Sequence, residues 1–358
     1  MKILLFGEFS GLHTNLKYGL EQLGHSVTLV SNGDGVKQIG GADVFLRGVS
    51  RYKLIAALTL RIKCLWSLVQ FRGYDVVQYI VPFWLPFPKC LQLLYLRFLK
   101  RYNKRVYYNA CGGDSYVTLN MATLRYSSLS DAILEDDYQR MCDRLSPRNI
   151  QYSLQACALF DGIIASSFTY HHSSSRLSNY FGYIPFPAVP IPAPTPFPST
   201  EGPIKIFFGY TRTVGKGVRY ILKALELIEK EFGNRVSVQI VQRVPYADYV
   251  KLFDHCHIFI DQSSDYGYGM NALLGMVKGK VVLSGCEPEM QALLDRPCPI
   301  VNITPDVEDI QNKVRRLLKN PHTLPAIGLA SYEFVKEVHE PVKIASLYLE
   351  KWSKKGGI

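Results

Sequence analysis

Between residues 185 and 203, eight of nineteen residues are proline. Proline lacks the backbone donor that helices and central strands use, and it biases its predecessor toward extended geometry. This stretch can be neither a helix nor an interior strand, so it divides the chain of 358 residues into two unequal parts. That length also exceeds what one ordinary core serves and suits two domains of roughly 150–200 residues. The proline-rich stretch is read as a semi-rigid linker, and a surface loop inside one domain is the competing reading.

On either side of it, short apolar runs alternate with helical spacing. Before it, apolar runs fall at 2–6, 26–30, 76–80, 105–108 and 162–165, and Leu16, Leu20 and Leu23 recur at helical intervals. After it, strands are expected at 204–208, 236–241, 258–261 and 281–284. Helices are expected at 220–232, 246–253, 270–276, 307–318 and 342–352. Strands alternating with helices predict α/β units with doubly wound parallel sheets, which bind ligands outside the carboxyl ends of their strands. The expected division is 1–184, a linker at 185–203, a second domain at 204–341, and a final helical segment at 342–358.

An apolar fraction of 47% with 20% charged residues describes a globular protein. Eight cysteines are scattered without a C-x-x-C pair, which suits free thiols in a reducing compartment better than disulfides or a zinc site. Neither a signal peptide nor a membrane-spanning helix is expected, so the predicted location is the cytoplasm. The net charge of +11 is concentrated: residues 51–105 hold eleven Lys and Arg against one acid, Asp75. There cations interleave with large apolar side chains, as in Leu60-Arg61-Ile62-Lys63 and Tyr95-Leu96-Arg97-Phe98. Basic amphipathic helices with aromatic residues sit on anionic lipid, so peripheral contact with the inner face of the cytoplasmic membrane is expected. A partly solvated, partly core role for these side chains is the alternative. No nucleic-acid-binding module is visible.

Two segments could carry chemistry. Gly209-Tyr-Thr-Arg212-Thr-Val-Gly-Lys216-Gly217 directly follows the expected strand at 204–208. Arg212 and Lys216 there could hold a diphosphate, Arg by paired donors and Lys as a point charge. Further on, Asp265-Tyr266-Gly267-Tyr268-Gly269-Met270-Asn271 is a glycine-bearing loop running into a helix. Its glycines permit close backbone approach, and free N–H groups at a helix start favour anionic oxygens. The same loop would also serve simply to pack the helix down.

These two segments resemble the donor site of family 4 glycosyltransferases. Gly267-Tyr268-Gly269-Met270, Met276-Val277-Lys278-Gly279-Lys280-Val281-Val282 and Gly285-Cys286-Glu287-Pro288-Glu289 match that family's pattern in register. Two carboxylates of the family's E-x7-E signature do not: Tyr266 stands at the first, with Asp265 one residue early, and Leu274 at the second. Glu287 and Glu289 are candidate substitutes, or else an acidic surface turn. The resemblance implies a GT-B fold, with two Rossmann-like domains facing a cleft and the closing helix crossing back to the N-terminal domain. It implies transfer of a sugar with retention of configuration from a nucleotide sugar to a glycan or lipid-linked hydroxyl, with no obligatory metal. Arg212 and Lys216 would be catalytic. Gly209, Asp265, Tyr266, Gly267, Tyr268, Gly269, Met270, Asn271, Glu287 and Glu289 would contact the donor, with Ser10 and Gly11 facing it across the cleft. Asp114 and His13 would lie on the acceptor side, Asp114 alternatively capping a helix. A non-catalytic sugar-nucleotide binder and a sugar-nucleotide epimerase are the competing readings.

Overall fold

A computed structural model describes residues 1–48, 51–134, 138–189 and 193–353. Residues 190–192 of the proline-rich stretch and 354–358 of the expected final segment lie outside them. The first half contains β1 (Lys2–Phe6), α1 (Leu12–Gln22), β2 (Ser26–Ser31), β3 (Val44–Phe45), α2 (Lys53–Gln70) and β4 (Val76–Tyr79). It continues with α3 (Lys89–Tyr102), β5 (Arg105–Ala110), α4 (Ser115–Met121), α5 (Ser128–Leu134), α6 (Tyr138–Arg144) and α7 (Pro147–Leu159). β6 (Gly162–Ala165), α8 (Phe168–Ser174) and β7 (Tyr180–Tyr183) end it.

The second half has β8 (Ile204–Tyr210), α9 (Val218–Phe232), β9 (Val236–Gln242), α10 (Tyr246–Leu252), β10 (Ile258–Ile260) and α11 (Met270–Val277). After these come β11 (Val281–Ser284), α12 (Pro288–Gln291), β12 (Val301–Asn302), α13 (Val307–Lys319), α14 (Leu324–Val338) and α15 (Pro341–Ser353).

All strands pair in parallel, in two sheets ordered β3-β2-β1-β4-β5-β6-β7 and β12-β11-β10-β8-β9. In each sheet the chain runs outward one way and then returns to extend the other, leaving a switch point between β1 and β4 and another between β8 and β10. Side chains alternate across each strand, so each sheet has two cores. Along β8, Ile204, Ile206 and Phe208 pack with α9 and α13, while Phe207 faces the opposite core with α11. α9 owes its form to Val218, Ile221, Ala224, Leu225 and Ile228, buried at helical spacing, with Glu226 and Lys230 paired at 2.5 Å on its wet side.

α14 fills a stretch for which the sequence reading expects no element, and β3 and β12 are two-residue strands with too little apolar pattern to register. α15 packs on α1 of the first half, where Ile344, Ala345, Tyr348 and Trp352 join Leu16 and Leu20 in one core. The approach is close: a Cβ on Gly19 would meet the Pro341 carbonyl oxygen at 2.1 Å. The described part of 185–203 holds no helix or strand, and it touches both halves. The Pro187 carbonyl accepts from Asn15 Nδ2 (3.0 Å), and the Ala188 N–H donates to the His339 carbonyl (2.8 Å).

Candidate functional site

A cleft of about 620 Å³ lies between the carboxyl edges of the two sheets. That volume falls in the range of small-molecule sites, roughly 300–1,000 Å³. From the second half it is lined by the loops after β8, β9 and β10 and by the start of α11, and from the first half by the loops after β1, β2, β5 and β6.

The switch point between β8 and β10 carries its centre. Asp261, 1% exposed, follows β10 and accepts from Lys216 Nζ (3.0 Å) and Asn271 Nδ2 (3.0 Å) at Oδ1 and from Ser284 Oγ (3.1 Å) at Oδ2. Lys216, arriving from the loop after β8, and Asn271, arriving from the glycine turn, therefore share one buried carboxylate. A carboxylate survives burial only when paired and fully hydrogen-bonded, which this one is. Lys216 is thus an anchored cation, and one of its three N–H donors is spoken for. Arg212, earlier in the same loop, is exposed on the cleft wall and makes no hydrogen bond or ion pair among the described residues.

The start of α9 is occupied by protein. Asp131 of α5, 2% exposed, accepts at Oδ2 from the N–H groups of Gly215 (2.9 Å) and Gly217 (2.8 Å). Gly217 sits at φ +70°, where a Cβ would lie 2.0 Å from Ser263 Oγ, so only glycine serves there. A carboxylate from the first half thereby fills an anion-binding nest in the second. The start of α1 is filled likewise: buried Glu8 accepts from Gly11 N (3.0 Å), Thr14 N (2.7 Å) and Thr14 Oγ1 (2.7 Å). Burial pushes the Glu8 carboxyl up, against the lowering effect of these bonds.

Of the glycine loop, Gly209, Asp265, Tyr268, Gly269, Met270 and Asn271 line the cleft, and so does Leu274. Asp265 Oδ1 accepts from Gly267 N (3.0 Å) and from Thr169 Oγ1 across the halves (2.9 Å). Its surroundings push its pKa up to about 6 from 3.8, burial being the main cause. The native state then holds this proton more tightly than the unfolded chain does. The carboxyl weakens folding as pH rises from about 4 through 6 and adds no further slope above that. Asp265→Asn should flatten that part of the stability–pH curve, as urea titrations at stepped pH would show.

Several expected donor contacts are placed elsewhere. Tyr266 is 2% exposed, its ring stacked on Phe168 of α8 (5.2 Å between centroids) and its hydroxyl accepting from Arg125 N (2.9 Å). The Arg125 guanidinium lies 5.0 Å over the Tyr266 ring and pairs with Glu287 (2.5 Å) and Glu289 (2.9 Å). Tyr266, Glu287 and Glu289 thus form a seam between the halves, beside the cleft and not within its lining. Gly267 and Gly11 also lie outside the lining. Tyr268 keeps its ring buried and donates its hydroxyl to His339 Nε2 (2.9 Å), a histidine that burial holds neutral with a pKa of about 4.

In the first half, Ser10 lines the cleft at φ +55°. Its N–H donates to Asp34 Oδ2 (2.9 Å), and its hydroxyl accepts from Lys37 Nζ (2.6 Å). His13 is fully buried: Nδ1–H donates to the Gly7 carbonyl (2.7 Å), Nε2 faces the Gln78 amide (3.3 Å), and burial lowers its pKa to about 4. It is a neutral core residue outside the cleft lining. Asp114 caps α4, accepting from Val117 N (2.8 Å) and from the Tyr108 hydroxyl (3.2 Å), buried beneath the cleft-lining Gly112 and Gly113. Sequence reasoning missed Asp261 and Asp131, and also Arg243, Tyr246 and Tyr249, which line the cleft beyond β9. Tyr249 lies so close to Gly209 that a Cβ there would sit 2.3 Å from Cε2. Among the described residues no three His, Cys, Asp or Glu side chains gather as a metal-ligand set.

Two parallel doubly wound sheets facing a cleft across their carboxyl edges constitute the GT-B architecture. Solved structures share it along nearly the whole chain. Sucrose-phosphate synthase from Thermosynechococcus elongatus matches at TM-score 0.61 and 13% identity, over 98% of each chain. HepE from Anabaena, in complex with UDP-glucose, matches at TM-score 0.60 and 12% identity over 99% of each. UDP-GlcNAc 2-epimerase from Neisseria meningitidis, bound to UDP-GlcNAc, matches at TM-score 0.52 and 12% identity, over 98% of this chain and 99% of that one. No protein-family profile and no curated protein sequence matches the chain.

Proposed function

We propose that the chain transfers a sugar from a nucleotide-sugar donor to a hydroxyl of a glycan or lipid-linked oligosaccharide, with retention of configuration and without an obligatory metal. The observation that carries this reading is Arg212, an exposed cation with no hydrogen bond or ion pair among the described residues, in the same loop as the anchored Lys216 and across from the start of α11. A departing nucleoside diphosphate gains negative charge as its bond to the sugar breaks, and cations fixed at that spot stabilise the charge. Asp261 holds Lys216 in place and leaves two of its N–H donors for phosphate oxygens. Gly269, Met270 and Asn271 would meet the sugar, and Val241, Arg243 and Tyr246 would border the base. The UDP-sugars named with HepE and the epimerase support a uridine diphosphate sugar as the donor class. The reading places the protein in the cytoplasm, in peripheral contact with the inner face of the membrane through 51–105, with 204–341 as the donor domain and 1–184 on the acceptor side.

Leu274 on the cleft wall favours a second reading, a binder without turnover, because it cannot accept the hydrogen bond a carboxylate would. Purified protein given a panel of UDP-sugars, with and without acceptor glycans, separates the possibilities. UDP release that requires an acceptor supports transfer. Calorimetric binding without release on any acceptor supports the binder, and donor conversion without acceptor supports an epimerase.

A further inference from the structure

α2 is an amphipathic helix worn inside out. Cys64 and Ser67 are its buried residues, yet the opposite side carries Leu54, Leu58, Ile62, Leu65 and Val69. Steps of four, four, three and four residues keep these five on one side of a helix. They are 87%, 58%, 56%, 56% and 61% exposed, with Ile55 and Trp66 beside them at 50% and 66%. Eighteen residues make a rod about 27 Å long, and a continuous apolar stripe of that length is unusual on a surface that faces only water.

The charge around this stripe has one sign. Lys53 and Arg61 are exposed on α2 itself, and Arg97 and Arg101 are exposed on neighbouring α3, alongside exposed Leu91 and Leu94. At the far end of α2, the exposed Arg72 stacks over Phe98 and Tyr102 of α3 (4.8 and 4.6 Å). The one acid between 51 and 105, Asp75, is already paired with Lys104 at 2.6 Å. No helix among the described residues is long and apolar enough to cross a membrane.

We propose that α2 lies in the plane of an anionic lipid surface, with the Leu54–Val69 stripe and Trp66 sunk among the acyl chains and the surrounding Lys and Arg on the headgroups. Exposed cations flanking an apolar stripe, with no free acid between residues 51 and 105, are the complement of such a surface. A protein partner covering the same area would need an apolar centre with acids placed opposite Lys53, Arg61, Arg97 and Arg101. A crossover helix runs back against its strands, so α2 begins at the sheet edge that forms the cleft. Lying on lipid, it would bring the first-half wall of the cleft close to the membrane. The inference rests on the membrane contact of the proposed function and assigns it to α2; its test reads vesicle binding and not sugar transfer, so the two can fail separately.

The test is co-sedimentation of the full chain with vesicles of phosphatidylcholine alone and of phosphatidylcholine mixed with phosphatidylglycerol, with Trp fluorescence in parallel. Binding is expected to the mixed vesicles alone, weakened by salt and accompanied by a blue shift that Trp66→Phe removes. The paired change Leu58→Gln with Leu65→Gln alters only exposed side chains. It should leave thermal unfolding unchanged and weaken vesicle binding about tenfold or more. Arg61→Gln with Arg101→Gln should weaken it as well, while leaving the residue fluorescence shift of any bound fraction intact. Absent binding, equal binding to neutral vesicles, or undiminished binding by the Leu58/Leu65 variant would overturn the proposal. So would self-association of the wild type that the same variant abolishes, which would mark the stripe as an interface between protein copies.

Discussion

Replacing Arg212 with alanine is expected to slow acceptor-dependent release of nucleoside diphosphate by roughly 10²–10³-fold, the usual effect of removing one fixed donor from a developing anion. The expectation follows from how the cations of the cleft are already committed. Lys216 is tied to Asp261, and Lys37 is tied to Asp34 (2.6 Å) and Ser10. Arg243 Nε donates to the Thr211 carbonyl (3.3 Å). Arg212 alone of these has no such tie among the described residues, so its full donor fork is available to phosphate oxygens. If it acts chiefly as the bond breaks, kcat and kcat/KM should fall together, whereas a purely binding role would raise KM and spare kcat. Arg212→Lys should recover only part of the loss, since a point charge cannot chelate two oxygens. Because the side chain is exposed, neither change should move the unfolding midpoint by more than a small amount. Turnover of Arg212→Ala within twofold of the parent would remove the diphosphate from this loop.

What the sequence made legible has a common physical origin. β1, β6 and β11 are short apolar runs buried on both faces, and a run of that kind announces itself without tertiary information. α9 is equally open to reading because its buried positions repeat at helical spacing. The cleft-lining loops could be found as well, since Gly209 to Lys216 and Asp265 to Asn271 each follow a strand in an α/β alternation, and ligands gather there. Among the candidates that lie outside the cleft lining, Tyr266, Glu287 and Glu289 are held there by a partner distant in the chain. Tyr266, Glu287 and Glu289 look available until Arg125 arrives, 162 residues before Glu287. The N–H groups of Gly215 and Gly217 are likewise taken by Asp131, from 84 and 86 residues away. A local pattern reveals which groups could bind an anion, and only the folded chain reveals which of them a carboxylate has already taken. His13 illustrates the reverse case: it follows the β1 loop, where a cleft residue is expected, but the first turn of α1 directs its ring inward to Gly7 and Gln78.

The two capping carboxylates have a further consequence for the cleft. Glu8 and Asp131 neutralise the N-terminal ends of α1 and α9 that would otherwise compete for the same anion. The side chains at the β8–β10 switch point and the start of α11 are not capped in this way and stay open to the cleft. Asp131 also joins α5 of the first half to α9 of the second, so the cap doubles as a clasp across the cleft. Together with the Arg125 seam, it limits how far the halves can part without breaking charge-assisted hydrogen bonds.

Asp261→Ala is expected to destabilise the fold by roughly 3–5 kcal/mol, near the lower figure because Lys216 keeps some contact with water. The side chains in question are 1% exposed for Asp261 and 20% for Lys216. Removing the carboxylate strands three donors at once: the Lys216 ammonium, the Asn271 amide and the Ser284 hydroxyl. Ser284 is left with no partner in reach, and Lys216 and Asn271 recover theirs only in part from the cleft, so the penalty exceeds the net worth of the pair itself. Removing both charges should therefore be milder than removing one. Lys216→Met combined with Asp261→Leu is expected to regain much of the stability lost by Asp261→Ala, as read from urea midpoints. The double variant should nevertheless stay impaired in nucleoside-diphosphate release, because the fold no longer depends on the cation while the chemistry does. A double variant as unstable as Asp261→Ala would mean that the cluster acts through packing and not through charge. One that regains both stability and turnover would remove Lys216 from the reaction.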